Sequence, residues 1–329
     1  MQQLRLGIIG VGPIVEKKHL PALAEVPEIA VVAVCRRTEA PLHQIANRFR
    51  IAKRTTDYRA VLDDREVDAI LLTTGPDTQP AIIAEAAAAG KHVFVEKPVA
   101  ASAADARAIA RTVHASGIHC QIGFNKRYYY GYRQVRQLID AGQIGAPAGL
   151  SARFWYQTGR RDALLYNGIH FLDLVAFLAG PLTEVSAQRA VVPPANGGGV
   201  AETIAVSFAS ARNAVGTVLL SSGASWDYLN EHLDLVTADQ SAVTVDNGRA
   251  LRVFRKDDPQ ASRAFENTLS VHWWSGNDEQ GFVPQLRVFA QRVLGTQPSP
   301  ADAALHRLAA DVDDGVRSHL VLEALKRSL

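Results

Sequence analysis

Cysteine is nearly absent from this chain: among 329 residues only Cys35 and Cys120 carry a thiol. With no Cys-x-x-Cys spacing they make neither a disulfide framework nor a thiolate metal site. Cys35 sits in the apolar run 31–35 and Cys120 in Ile118-His119-Cys120-Gln121, and each reads as a small buried hydrophobe at a strand end. An excess of charge of one sign is missing too. Lys plus Arg number 35 against 33 Asp plus Glu, a net charge of +2. That field is too weak to draw in a polyanion, so no nucleic acid and no acidic membrane surface is expected as a partner. No apolar run reaches the ~18–20 residues of a membrane span, and there is no internal repeat or low-complexity tract. The start passes from Met1 straight into Leu4-Arg5-Leu6-Gly7-Ile8-Ile9, without the basic leader, apolar core and cleavage site of a signal peptide. A cytoplasmic protein without a metal site is the expectation. His114, His119 and Cys120 have no ligand spacing, and no Ser/His/Asp or Cys/His nucleophile set can be assigned.

What remains is ordinary globular material, 47% hydrophobic and 21% charged, at a length that suggests about two domains. In the first third, strands are predicted at 4–9, 29–35, 67–73, 91–95 and 118–122, with helices at 81–89 and 103–115. These strands are apolar almost throughout rather than alternating, as parallel strands buried on both faces are, and their alternation with helices argues a doubly wound α/β sheet. After about Phe124 the pattern changes. Helices at 132–141 and 166–179 flank an extended run at 148–156, and strands follow at 204–208, 215–220, 233–237, 242–245 and 251–254. Ser210-Ala211-Arg212-Asn213 and Asp246-Asn247-Gly248 read as hairpin turns, and Asn196-Gly197-Gly198-Gly199 as a loop. Helices near 284–294 and 301–326 close an α+β half with a mostly antiparallel sheet.

Gly10-x-Gly12 follows the first strand and opens a helix through Pro13 and Ile14. Two glycines there allow a tight turn and let backbone N–H groups approach a pyrophosphate at a helix N-terminus. Position 15, where that pattern wants Gly or Ala, is Val. At the end of the second strand an Asp or Glu would accept hydrogen bonds from the ribose of NAD. Cys35-Arg36-Arg37 stands there instead. A guanidinium clamps a 2′-phosphate, so NADP is the expected cofactor, with NAD as the other possibility.

Further motifs follow in order. Phe94-Val95-Glu96-Lys97-Pro98 closes the strand at 91–95. Gly123-Phe124-Asn125-Lys126-Arg127-Tyr128 follows the strand at 118–122, then comes Ile139-x-x-Gly142-x-Ile144-Gly145-x-Pro147, and Gly168-Ile169-His170-x-x-Asp173 opens a later helix. Together with the glycines, this order resembles the glucose–fructose oxidoreductase / inositol dehydrogenase / rhizopine catabolism (Gfo/Idh/MocA) family over essentially the whole chain. The resemblance implies a Rossmann domain, here 1–122, followed by an α+β domain with an open-faced, mostly antiparallel sheet, here 123–329. It implies hydride transfer between a nicotinamide and a sugar, polyol or related carbonyl/alcohol pair. It also implies association through the exposed sheet face, as a homodimer or homotetramer. Cofactor contacts are expected from Gly10, Gly12, Pro13, Ile14, Arg36, Arg37, Thr74, Pro76, Glu96, Lys97 and Asn125. Lys97 would lie by the nicotinamide and the reacting oxygen, and His170 would carry the proton.

Those roles agree with elementary chemistry. Hydride transfer to a ketone leaves developing alkoxide, which an ammonium stabilises and an imidazole protonates near neutral pH. Helical spacing sets Tyr166, His170 and Asp173 on one face. The chain also departs from the family pattern. Tyr166 stands where relatives often carry an Asp, and its reference pKa of about 10 makes a poor base. Pro80 stands where His is common, and Arg160-Arg161-Asp162-Ala163 fills the place of a Gly-Gly pair. A dihydrodiol or imine reductase, or a non-catalytic NAD(P)-sensing protein, are the alternatives. Tyr128-Tyr129-Tyr130 is expected to pack near the active cleft rather than to stack on bases. Val271-His272-Trp273-Trp274, Trp226 and Tyr228 read equally as substrate wall or sheet edge.

Overall fold

The computed structural model describes residues 2–156, 162, 164–192, 201–223, 231–256, 263–265, 278 and 280–329. The chain forms two compact units, one from 1–128 with 271–316, the other from 129–270 with 317–329.

In the first unit, β1 (Leu4–Ile9), β2 (Ile29–Cys35), β3 (Lys53–Thr55), β4 (Ala69–Leu72), β5 (His92–Val95) and β6 (Cys120–Ile122) form one sheet in the order β3-β2-β1-β4-β5-β6. Every pairing is parallel. This is the doubly wound dinucleotide-binding order, in which ligands lie beyond the carboxyl ends of the strands where the order reverses, here between β1 and β4. The helices between the strands are α1 (Leu20–Leu23), α2 (Glu39–Arg48), α3 (Tyr58–Leu62), α4 (Gln79–Ala88) and α5 (Ala103–Ser116). Local chemistry sets their ends. Ser102 caps α5 by accepting from the Asp105 N–H, and Gly117 at φ 72° ends it in the left-handed conformation. The first helix is not α throughout: after Pro13 and Ile14, Val15–His19 form a π-helical turn ahead of α1, with Val15 buried. β3 was not expected. It is three residues long and reads Lys-Arg-Thr, so it carries no apolar signature.

In the second unit α6 (Tyr130–Asp140) and β7 (Pro147–Trp155) come first, then α7 (Ile169–Ala179). β8 (Leu182–Val192), β9 (Ala201–Ser210), β10 (Val215–Ser221), β11 (Glu231–Thr237), β12 (Ala242–Asp246), β13 (Ala250–Phe254) and β14 (Arg263–Phe265) follow. The eight strands run in the order β14-β13-β12-β11-β7-β10-β9-β8. All pairs are antiparallel except β7 with β10. Leu150, Ala152, Phe154, Leu233, Leu235, Val243, Val245, Leu251 and Val253 make the buried face. Phe171 of α7 stacks on Phe154 with centroids 4.9 Å apart. Both expected hairpin turns form, the second with Asn247 at φ 49° and Gly248 at φ 67°. β8 was missed because most of its residues are solvent-facing and it lacks a strict apolar alternation.

The chain then contributes α8 (Phe282–Leu294), α9 (Pro300–His306) and α10 (Val312–Ser328). Phe282, Leu286 and Phe289 of α8 join Leu4, Leu6, Ile8 and Phe94 in the core of the first unit. The single helix expected at 301–326 is two helices, broken where Ala310 bridges to Ile122 of β6. No helix among the described residues is long and apolar enough to cross a membrane.

Candidate functional site

The expected cofactor residues of the first unit follow the carboxyl ends of β1, β2, β4, β5 and β6. Gly10, at φ 99°, turns directly against the segment after β4. A Cβ there would fall 2.9 Å from the Thr73 carbonyl carbon and the Thr74 nitrogen, so only glycine fits. The Thr73 hydroxyl donates to the Gly10 carbonyl, and the Gly10 N–H donates to Cys35 O at 3.0 Å. Gly12 differs: the nearest atom to a Cβ there is Gly10 O at 3.9 Å. Its glycine is not required by packing, and the space above it suits a bulky anionic group brought close to the backbone. The residues therefore fit a dinucleotide, with Gly10 making the turn and Gly12 leaving the cradle open. Pro13 is exposed and Ile14 half-buried at the start of the following helix.

Arg36 lies across this turn, its guanidinium donating to Val11 O at 2.8 Å, while Arg37 beside it is exposed. Cys35, which ends β2, is buried, and burial pushes its thiol up to about 11. Cys120 is only partly buried. In the loop after β4, Thr74 is half-buried and Pro76 buried. The Thr78 hydroxyl donates to Gly75 O at 2.9 Å, and buried Gln79 donates to Thr74 O at 2.9 Å. The Glu96-Lys97 turn follows β5. One Glu96 oxygen meets Nε2 of His19 at 2.8 Å, and the other accepts the Lys97 backbone N–H at 3.2 Å. Asn125, buried in the short turn after β6, donates from Nδ2 to Gln280 O at 3.1 Å.

The expected proton-transfer residues lie in the second unit. Leu164–Gly168 form a π-helical turn, and regular α-helix begins at Ile169. The π-turn winds through a smaller angle per residue than an α-helix, so Tyr166 and His170 do not keep the regular α-helical i, i+4 spacing assumed from sequence. Both are half-buried, whereas Asp173 is buried. Asp162 builds the turn: its carboxylate accepts the Leu165 N–H at 2.9 Å, its carbonyl accepts the Tyr166 N–H at 3.1 Å, and Lys326 donates to it at 2.6 Å.

Sequence reasoning missed Lys18, His19, Gln79 and Gln280. In sequence, Lys17-Lys18-His19 has the look of a solvated helix face, yet Lys18 and His19 are both 0% exposed. Lys18 is buried by Gln280, to which it donates, 262 residues away in the chain, and no local pattern announces that. Lys126, Arg127, Tyr128 and Tyr129 are buried, so they offer no stacking surface for bases. Among the described residues no cluster of three His, Cys, Asp or Glu is arranged to hold a metal. Arg160, Arg161, Ala163, the glycines at 197–199, Trp226, Tyr228 and the aromatic run at 271–274 lie outside the described residues.

Comparison with known proteins adds three results. The oxidoreductase family with an NAD-binding Rossmann fold matches residues 4–124, and the GFO/IDH/MocA C-terminal domain matches residues 132–248. Inositol 2-dehydrogenase of Salmonella typhimurium is 32% identical over 185 residues, which is 53% of this chain and 54% of that one. The scyllo-inositol 2-dehydrogenase (NAD(+)) of Bacillus subtilis is 32% identical over 205 residues, 58% of each chain. The matches span little more than half the length of these curated relatives. Among solved structures, levoglucosan dehydrogenase in complex with NADH and levoglucosan shares the fold, with a TM-score of 0.83 and 20% identity over 99% of this chain and 97% of that one. Strand order, glycine turn, ordered motifs and both family matches agree, and the chain belongs to the GFO/IDH/MocA oxidoreductase family.

Proposed function

We propose that the chain is a nicotinamide-dependent oxidoreductase, preferring NADP(H), that moves hydride between the coenzyme and a sugar, polyol or similar hydroxylated carbonyl compound. The observation that carries this reading is the gathering of Gly10, Gly12, Thr74, Glu96, Lys97 and Asn125 at the carboxyl ends of neighbouring parallel strands, where open α/β sheets bind ligands. The relatives named for inositol support a polyhydroxylated substrate.

When bound, a nicotinamide supplies hydride donor or acceptor chemistry. The chain does the rest. Gly10 and Gly12 admit the pyrophosphate to the backbone, and the loop of Thr74 and Pro76 borders it. Lys97 presents an ammonium to the reacting oxygen and stabilises charge developing there. His170 accepts or donates the hydroxyl proton, Tyr166 offers a hydroxyl donor, and Asp173 orients the helix face that carries them. Arg36, held on Val11 O, and exposed Arg37 support the NADP(H) preference, because guanidinium groups pair with a phosphate and the residue that ends β2 is Cys35 rather than an Asp or Glu. Free thiols at Cys35 and Cys120 accord with a reducing cytoplasm. The test is calorimetric titration of NADPH and NADH into the protein and into Arg36→Asp. Tighter binding of NADPH is expected, by at least about tenfold or 1.4 kcal/mol, with the order reversed in the variant. Equal affinities would overturn the 2′-phosphate assignment, and binding of neither would overturn the oxidoreductase reading.

A further inference from the structure

The first helix after the glycine turn carries two side chains that are unusual by burial alone. Lys18 and His19 are each 0% exposed, and both come from the π-helical turn Val15–His19. A π-turn inserts one residue into a helix and redirects the side chains that follow it, a device concentrated at functional sites. Here it sends Lys18 and His19 toward two of the expected site loops. Lys18 Nζ donates to Gln280 Oε1 at 2.5 Å, and Gln280 O accepts from Asn125 Nδ2 at 3.1 Å. His19 Nε2 meets Glu96 Oε1 at 2.8 Å, and Glu96 Oε2 accepts the Lys97 N–H at 3.2 Å.

The His19 ring packs between two aromatic rings. Its ring stands edge-on to Phe94 at 6.0 Å and to Phe282 at 5.3 Å. Its Nδ1 is buried and meets no hydrogen-bond partner among the described residues. Nε2 is the ring nitrogen that faces a partner, and its N–H donates to the Glu96 carboxylate. Glu96 lies against Gly123, where an added Cβ would fall 3.0 Å from its Oε1. The carboxylate thus bridges the two, with one oxygen on His19 and the other on the backbone N–H of Lys97.

We infer that His19 is a positioning residue for Lys97: it holds the Glu96 carboxylate, which holds the Lys97 backbone and thereby aims the ammonium at the reacting oxygen. This rests on the role given to Lys97 above, and the test separates the two. Lysines are reductively methylated with carbon-13 and the Lys97 resonance is assigned by its loss in Lys97→Arg, a readout that needs neither coenzyme nor substrate. In His19→Leu, which keeps bulk but has no donor, the Lys97 resonance shifts and broadens. In His19→Gln, whose side-chain amide restores a donor, it returns to the wild-type position. With myo-inositol or levoglucosan as the probe alcohol, His19→Leu lowers kcat by about 100-fold, the cost of a small misplacement at a reacting centre, with KM and coenzyme affinity little changed. His19→Gln restores most of it. An unmoved Lys97 resonance in folded His19→Leu overturns the inference, as does a Gln variant no better than Leu. Should His19→Leu fail to fold, Glu96→Gln reads the same arm from its other end. A wild-type protein that binds no nicotinamide and turns over no alcohol, while the resonance responds as stated, refutes the oxidoreductase reading and leaves the His19–Glu96–Lys97 linkage standing.

Discussion

Two glycines one residue apart illustrate how differently the same residue type is used. Gly10 is demanded by its own protein, since its positive φ and the backbone 2.9 Å from a virtual Cβ leave no room for a side chain. Gly12 is not, having nothing nearer than 3.9 Å. Alanine at the two sites therefore has opposite signatures. Gly10→Ala lowers the melting temperature, with a cost of about 2 kcal/mol or more from left-handed strain and the clash. Gly12→Ala melts within about 0.5 kcal/mol of wild type yet loses coenzyme affinity by calorimetry. Such a split would be invisible to sequence reasoning, which sees the same glycine pattern at both positions. The same limit explains the site residues that were and were not legible. Lys97, His170 and Asn125 stood in ordered motifs. Lys18 and His19 did not, because their meaning depends on Gln280 and Phe282, which the fold alone brings near.

At the scale of elements, the strand cores of the first unit were readable because buried parallel strands are apolar throughout, while β3 and β8 escaped because edge or solvent-facing strands give no such signal. The solvent-facing side of β11 and β12 holds a titrating cluster. His232 Nδ1 lies 2.7 Å from Asp246 and Nε2 lies 2.9 Å from Asp234, while Arg252 donates to Asp246 at 3.1 Å. Burial alone would lower the His232 pKa, but hydrogen bonds to Asp246 and Asp234 outweigh it and hold it above the ordinary value. The charged ring then stabilises the fold fully below the unfolded histidine pKa of about 6.5, and that contribution is lost as pH rises through the raised folded value. Asp246 runs the other way. Burial raises its pKa, yet His232 and Arg252 bring it below the usual carboxylate range, so its contribution is lost only as pH falls through that lowered value. Urea midpoints of wild type and His232→Asn should differ most at about pH 6, below the unfolded histidine value, and converge at about pH 9. A gap that persists at the higher pH would exclude the ion pairs as its source.

Across the whole second sheet, register joins residues that are scattered in sequence. Val215, Gly149, Val236, Ala242 and Phe254 are successive cross-strand neighbours on β10, β7, β11, β12 and β13. Val215, Val236 and Phe254 are 59%, 52% and 48% exposed. An apolar stripe across five strands fits the expected self-association, for which a stable interface needs roughly 800 Å² from each partner. Sedimentation of Val236→Glu with Phe254→Glu should show a smaller species than wild type with an unchanged far-UV spectrum, and an unaltered assembly state would remove this face from consideration. The return of α8 to the first unit has another consequence, one of timing. Phe282, Leu286 and Phe289 close a core whose strands begin at Leu4. The ribosome must therefore make residues 129–289 before the first unit can shut. At roughly 5–20 residues per second that wait is about ten to thirty seconds. The nascent nucleotide-binding half spends it with an open apolar flank, a natural target for chaperones while the later half is still being translated.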